Sequence, residues 1–206
     1  MLTKAKVAPL AAEFLGTATI AMVALVLSNT TAVSYFIATS VAVTLGLVIM
    51  LFGMASRAHF NPAITFGVWA ARKMPTLKAI SYIAAQLIGG LAAWQLYQYL
   101  TGHSVAAQSQ AWNTPMWLAE VVGTGILALG VVAAAYRKLD SLHGAITIAG
   151  AYFAGIMIAS TASIGLLNPA IALGLREWNS VHVLGPLVGG LIGVNLFMLL
   201  FENSKK

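Results

Sequence analysis

The chain has 206 residues, 60% hydrophobic and only 8% charged, with a formal net charge of +6. A soluble domain carries about 25% charged residues, so this composition excludes a soluble fold and points to a chain embedded in a membrane. The absence of cysteine excludes disulfides, thiolate metal sites and cysteine nucleophiles.

Six apolar runs have the length of a bilayer span, about 20 residues. They cover 8–28, 35–54, 79–100, 115–136, 143–164 and 182–201. No cleavage pattern marks the first run, which reads as a retained span rather than a removed leader. Between the second and third spans lies a shorter apolar segment, 55–73, and between the fifth and sixth another, 165–178. Both are too short to cross and are predicted to be re-entrant. The expectation is an all-α membrane protein, one domain over 1–206, with six transmembrane helices and two re-entrant half-helices.

The basic residues sit at span ends, as Lys4/Lys6, Arg72/Lys73/Lys78, Arg137/Lys138 and Lys205/Lys206. That is a topology signal rather than a nucleic-acid surface. A cytoplasmic N-terminus places ten of the eleven Lys and Arg inside, leaving only Arg176 outside. Both termini are therefore expected in the cytoplasm. The five tryptophans, Trp69, Trp94, Trp112, Trp117 and Trp178, read mostly as interfacial anchors.

The halves repeat, about 8–100 against 115–201. LAAEFLGTATIAMV from Leu10 matches WLAEVVGTGILALG from Trp117, HFNPAITFGVWA matches LLNPAIALGLRE, and QLIGGLAAW matches PLVGGLIGV. Glu13 precedes Asn61 by 48 residues, and Glu120 precedes Asn168 by 48. Three spans per repeat is odd, so the second half must enter the membrane inverted. Inverted repeats place their functional sites near the midplane on broken helices.

Asn-Pro-Ala is a helix-starting sequence. Asn is a favoured N-cap, Pro fits the first helical position, and Ala lets two helix ends abut. Asn61, Pro62 and Ala63 open one short helix; Asn168, Pro169 and Ala170 open the other. With its oxygen spent as a cap, each Asn still has an NH₂ group to donate, here to a water at the midplane. Each half-helix also aims partial positive charge at that point. The preceding segments, Arg57-Ala58-His59-Phe60 and Gly165-Leu166-Leu167, are expected to be extended, with the carbonyls of Ala58, His59, Phe60, Leu166 and Leu167 lining the path. Irregular backbone at this depth must be buried in protein or face water.

Glu13 and Glu120 are the charged residues inside the predicted spans. Such residues are usually functional, either as proton carriers or as braces accepting N–H bonds from the re-entrant loops. Their matched spacing to the two Asn-Pro-Ala boxes favours bracing. Gly89/Gly90, Gly189/Gly190 and Gly193 suit close helix contacts. His59 reads as a backbone-carbonyl position, while His103, His143 and His182 stand isolated near span ends. No metal site, cofactor or nucleophile–base pair is expected, and hence no enzyme.

These two glutamates, the two Asn-Pro-Ala boxes and the paired glycines make the whole chain resemble the aquaporins, the major intrinsic protein family. The resemblance implies a right-handed six-span bundle, two half-helices meeting at mid-membrane, and a homotetramer with one pore per subunit. It also implies a narrow filter outward of the boxes. Carried over by position, that filter is Val41, Ile156, Gly165 and Ile171, with Met157 and Ala159 as alternatives in the fifth span. Water-selective members usually place an aromatic, a His and an Arg there, and the Arg position is Ile171. Arg176 lies eight residues past Asn168, about 12 Å along a helix, and does not substitute.

The functional expectation is a passive channel for water and small neutral solutes. A filter without the arginine relaxes discrimination against ammonia, glycerol or urea, or slows water. A facilitator mainly for such a solute, with little water flux, is the alternative. A proton-coupled transporter using Glu13 and Glu120 is the reading from another class. Short loops suggest a prokaryotic inner membrane.

Overall fold

The computed structural model describes residues 3–202. Lys205 and Lys206, counted above among the cytoplasmic cations, lie outside the described residues.

Eight α-helices and no strand occur among the described residues. Six are long and apolar enough to span a membrane: α1 (Lys4–Ser28), α2 (Ser34–Ser56), α4 (Thr76–Thr101), α5 (Thr114–Tyr136), α6 (Ser141–Ala159) and α8 (Ser180–Phe201). The other two, α3 (Pro62–Ala70) and α7 (Pro169–Gly174), have 9 and 6 residues. At 1.5 Å per residue they are about 14 and 9 Å long. Neither crosses a hydrocarbon core of about 30 Å, and end to end they cover about three quarters of it. The chain is an integral membrane protein.

The helix boundaries follow local chemistry. Asn113, Asp140 and Asn179 cap α5, α6 and α8 by accepting first-turn N–H bonds. The expected fifth span, 143–164, ends early: α6 stops at Ala159 and the chain turns through Thr161. Those residues are withdrawn from the helix because Ser163 donates to Glu120 and starts the second re-entrant loop.

Each repeat is a bundle, and the half-helices cross-link the two. Helix α1 packs on α2 and α4, α5 packs on α6 and α8, and α2 joins α6 across the repeats. Helix α3 of the first repeat lies against α8 of the second, and α7 of the second against α4 of the first. The glycines make this possible. A Cβ on Gly190 would strike the carbonyl of Ala63, and one on Gly90 the carbonyl of Ala170. Gly67 and Gly174 answer from the half-helices, a Cβ on each meeting the carbonyl of Gly190 and Gly90 respectively. Backbone thus sits on backbone at both crossings, as small residues allow in a bilayer.

Candidate pore

The re-entrant loops are not extended. Ala58 and Phe60 have φ of 56° and 48°, and Gly165 and Leu167 have 68° and 53°. Each pair flanks a residue outside the left-handed region, so handedness alternates in both loops at matching positions. This corrects the extended segments expected from sequence. The physical reason is the glutamate beneath each loop. Alternating handedness turns successive N–H groups to one side, where they make a concavity for an anion. His59 and Phe60 donate to the two oxygens of Glu13 at 3.1 and 2.7 Å. Leu166 and Leu167 donate to Glu120 at 3.0 and 2.8 Å. A left-handed residue costs about 1–2 kcal/mol, and a hydrogen bond to a charged group returns about 1.5–3 kcal/mol.

Both carboxylates are fully buried. Glu13 takes a third bond, from Gln86 Nε2 at 2.7 Å, and Glu120 takes one from Ser163. Ser56 and Ser163 stand at equivalent places in the repeats, each accepting a backbone N–H two residues on. Sequence reading missed these serines and Gln86, although Ser56 and Ser163 keep the 107-residue offset of the two asparagines. His143 and His182, expected to stand alone, do not. His143 pairs with Asp140 at 2.6 Å. His182 is buried, with Nδ1 3.0 Å from Asn179 Nδ2 and Nε2 3.4 Å from Ser163 Oγ.

The two asparagines act as caps and as links. Asn61 Oδ1 accepts from Ala63 N at 2.8 Å, and Asn168 Oδ1 from Ala170 N at 3.0 Å. Asn61 Nδ2 donates to the Leu167 carbonyl at 2.8 Å, and Asn168 Nδ2 to the Phe60 carbonyl at 2.9 Å. The half-helices therefore meet N-terminus to N-terminus through a reciprocal pair of amide bonds. Two consequences differ from the sequence reading. Each Asn amide has one N–H committed to protein, leaving one for another partner. The Phe60 and Leu167 carbonyls each have a protein donor, and that of Leu166 accepts from Tyr152 Oη at 3.3 Å.

Three cavities lie along this axis. An outer one of about 400 Å³ is bordered by all four predicted filter residues, Val41, Ile156, Gly165 and Ile171. Of the three fifth-span candidates Ile156 lines it, and Met157 and Ala159 do not. Gly165 holds φ of 68° with the Ile156 carbonyl close to where a Cβ would stand, so only glycine fits there without strain. A central cavity of about 10 Å³ is bordered by His59, Asn61, Asn168 and Tyr152. An inner one of about 690 Å³ opens among Arg57, Lys73, Lys138 and Glu202. His59, with Nδ1 3.1 Å from Thr65 Oγ1, borders the central and inner cavities. Arg176 borders none of the three; its guanidinium lies over the Trp94 ring, 4.3 Å from the centroid. Trp94 is thus more than an interfacial anchor. Among the described residues no cluster of three or more His, Asp or Glu gathers as a metal site.

Six spanning helices in two halves, with two capped half-helices joined at their asparagines between an outer and an inner cavity, define a class of membrane bundle whose broken helices border a path across it. The model of the Major intrinsic protein family matches residues 2–197, and the chain belongs to that family. It is similar to a probable TIP-type aquaporin of Medicago truncatula, 31% identical over 169 residues, covering 72% of this chain and 64% of the relative. It is also similar to glycerol uptake facilitator protein 3 of Lactiplantibacillus plantarum, 30% identical over 195 residues, covering 77% of this chain and 78% of that one. The chain spans 64–65% of the length of two of the plant relatives it matches. The aquaglyceroporin of Plasmodium falciparum has the same fold, with a TM-score of 0.66 and 96% coverage of both chains at 18% identity.

Proposed function

We propose that this protein is a passive channel conducting water and small neutral solutes such as glycerol in single file. The observation that carries this reading is the reciprocal asparagine pair at the junction of α3 and α7. Asn61 and Asn168 each keep one N–H for a molecule at the midplane, where the central cavity is about 10 Å³, close to the least volume that holds one water. Two half-helix N-termini meeting there disfavour cations and hydrated protons. The names of the relatives, aquaporins and a glycerol facilitator, support the same cargo.

The apolar outer ring favours a second reading within this class: glycerol, ammonia or a similar solute as the main cargo, with slow water. Val41, Ile156 and Ile171 offer a passing molecule no donor. In both readings Glu13 and Glu120 brace the loops, the His59 and Ala58 carbonyls serve the file of solutes, and no reaction is catalysed. We further place both termini in the cytoplasm, on the strength of the cations around the inner cavity. The functional unit is a single domain in a homotetramer of the prokaryotic plasma membrane.

The test is stopped-flow light scattering on proteoliposomes, for the wild type beside Ile171→Arg. Wild-type vesicles are expected to shrink well above the rate of empty ones under an impermeant osmolyte, and to admit glycerol. Ile171→Arg, which brings a guanidinium to the outer cavity, is expected to slow glycerol more than water. Wild-type rates equal to those of empty vesicles for both would refute the proposal. Slow water beside fast glycerol selects the second reading.

A further inference from the structure

We infer that Tyr152 sets the specificity of the conduit. Its ring forms the narrow passage between the outer and central cavities, and its hydroxyl supplies the hydrogen bond that the apolar ring around Ile171 lacks. The inference rests on the channel reading above and names the residue and solute chemistry on which that reading turns.

Among the described residues Tyr152 alone borders both the outer and the central cavity. It sits on α6 with Ile148 one turn inward, at the central cavity, and Ile156 one turn outward, at the outer one. Residues four apart share a helix face, so this stripe of α6 follows the path. Tyr152 is 2% exposed; the passage beside it is tight.

Its hydroxyl is 3.3 Å from the Leu166 carbonyl, longer than the 2.7–2.8 Å usual for such a bond. A passing molecule can compete for so weak a contact. A phenol donates one hydrogen and accepts others. With its hydrogen on Leu166, the oxygen presents lone pairs to a solute bearing an O–H or N–H group. The class selected is therefore small neutral donors, such as water, ammonia or glycerol, with size limited by the ring. The fold does not demand this hydroxyl: the equivalent position of the first repeat is Leu45, which borders the same central cavity.

The test uses full-length protein in proteoliposomes, with water, glycerol and urea fluxes by stopped flow. Tyr152→Val removes the ring and is expected to raise glycerol and urea permeability relative to water. Tyr152→Phe keeps the ring and is expected to lower water flux about two- to tenfold, the worth of one neutral hydrogen bond, with the size limit unchanged. Because the chain has no cysteine, Tyr152→Cys carries a single thiol. Mercuric ion should block its flux and leave that of the exposed His103→Cys untouched. If wild type conducts but Tyr152→Val keeps the wild-type solute ratios and mercury spares Tyr152→Cys, the inference fails and the channel reading stands. If wild type and all variants match empty vesicles, the channel reading itself fails and this inference with it. A silent wild type that Tyr152→Val opens makes the tyrosine a plug rather than a selector, and overturns both this inference and the channel reading.

Discussion

Replacing Glu13 separates a brace from a proton carrier. Its carboxylate is fully buried and accepts from His59 N, Phe60 N and Gln86 Nε2. In Glu13→Ala all three donors lose their acceptor. An unsatisfied buried donor costs about 1–3 kcal/mol, so the sum is about 3–9 kcal/mol, on the scale of a whole domain's stability of about 5–15 kcal/mol. In Glu13→Gln one oxygen remains. Placed where it serves Phe60 and Gln86, it leaves His59 N facing an NH₂ group, at a cost of about 1–3 kcal/mol. The expected order of thermal stability in detergent is wild type, then Gln, then Ala. Water flux of the Gln variant, measured in vesicles, is expected to persist and to ignore a pH gradient. A Gln variant that melts like wild type yet loses a flux driven by a proton gradient would refute the bracing argument and make Glu13 a carrier.

Two further outcomes follow from packing and from charge. Gly190→Ala puts a methyl group against the Ala63 carbonyl, which is backbone and cannot swing aside; overpacking of this kind costs about 1–3 kcal/mol. A lowered melting temperature for this variant, beside little change for Gly150→Ala, where a Cβ meets nothing within 4 Å, checks it. Asp140, outside the spans, caps α6; the backbone N–H and ring of His143 hold its carboxyl below the usual 3.8. Its capping contribution is therefore complete above pH 3.8 and fades as pH falls through the lower folded value. The stability gap between wild type and Asp140→Ala should be constant near neutrality and close under stronger acid.

The number and kind of elements were legible in the sequence because a bilayer forces the issue locally. With no water to satisfy its N–H and C=O groups, each crossing segment must be a continuous apolar helix, and such runs can be counted along the chain. The repeat was equally legible, since Glu13 and Asn61 have partners in Glu120 and Asn168 at one offset of 107, and the Gly89/Gly90 pair recurs as Gly189/Gly190 at an offset of 100. The starts of α3 and α7 were written in Asn-Pro-Ala, because a cap acts within one turn. What lay beyond reach was set by contacts across the fold. The left-handed residues at Ala58, Phe60 and Leu167 exist because buried carboxylates 46–47 positions away gather the loop N–H groups. The amide of Asn61 spends a hydrogen on a carbonyl 106 residues distant, and Ser163 leaves α6 to reach Glu120. Tyr152 looks like any aromatic of an apolar helix until the second re-entrant loop brings the Leu166 carbonyl to its hydroxyl. Sequence settles which groups must be satisfied within their own segment; only the tertiary structure settles how a buried group finds a partner elsewhere in the chain, because many distant partners can meet the same chemical need and packing selects one.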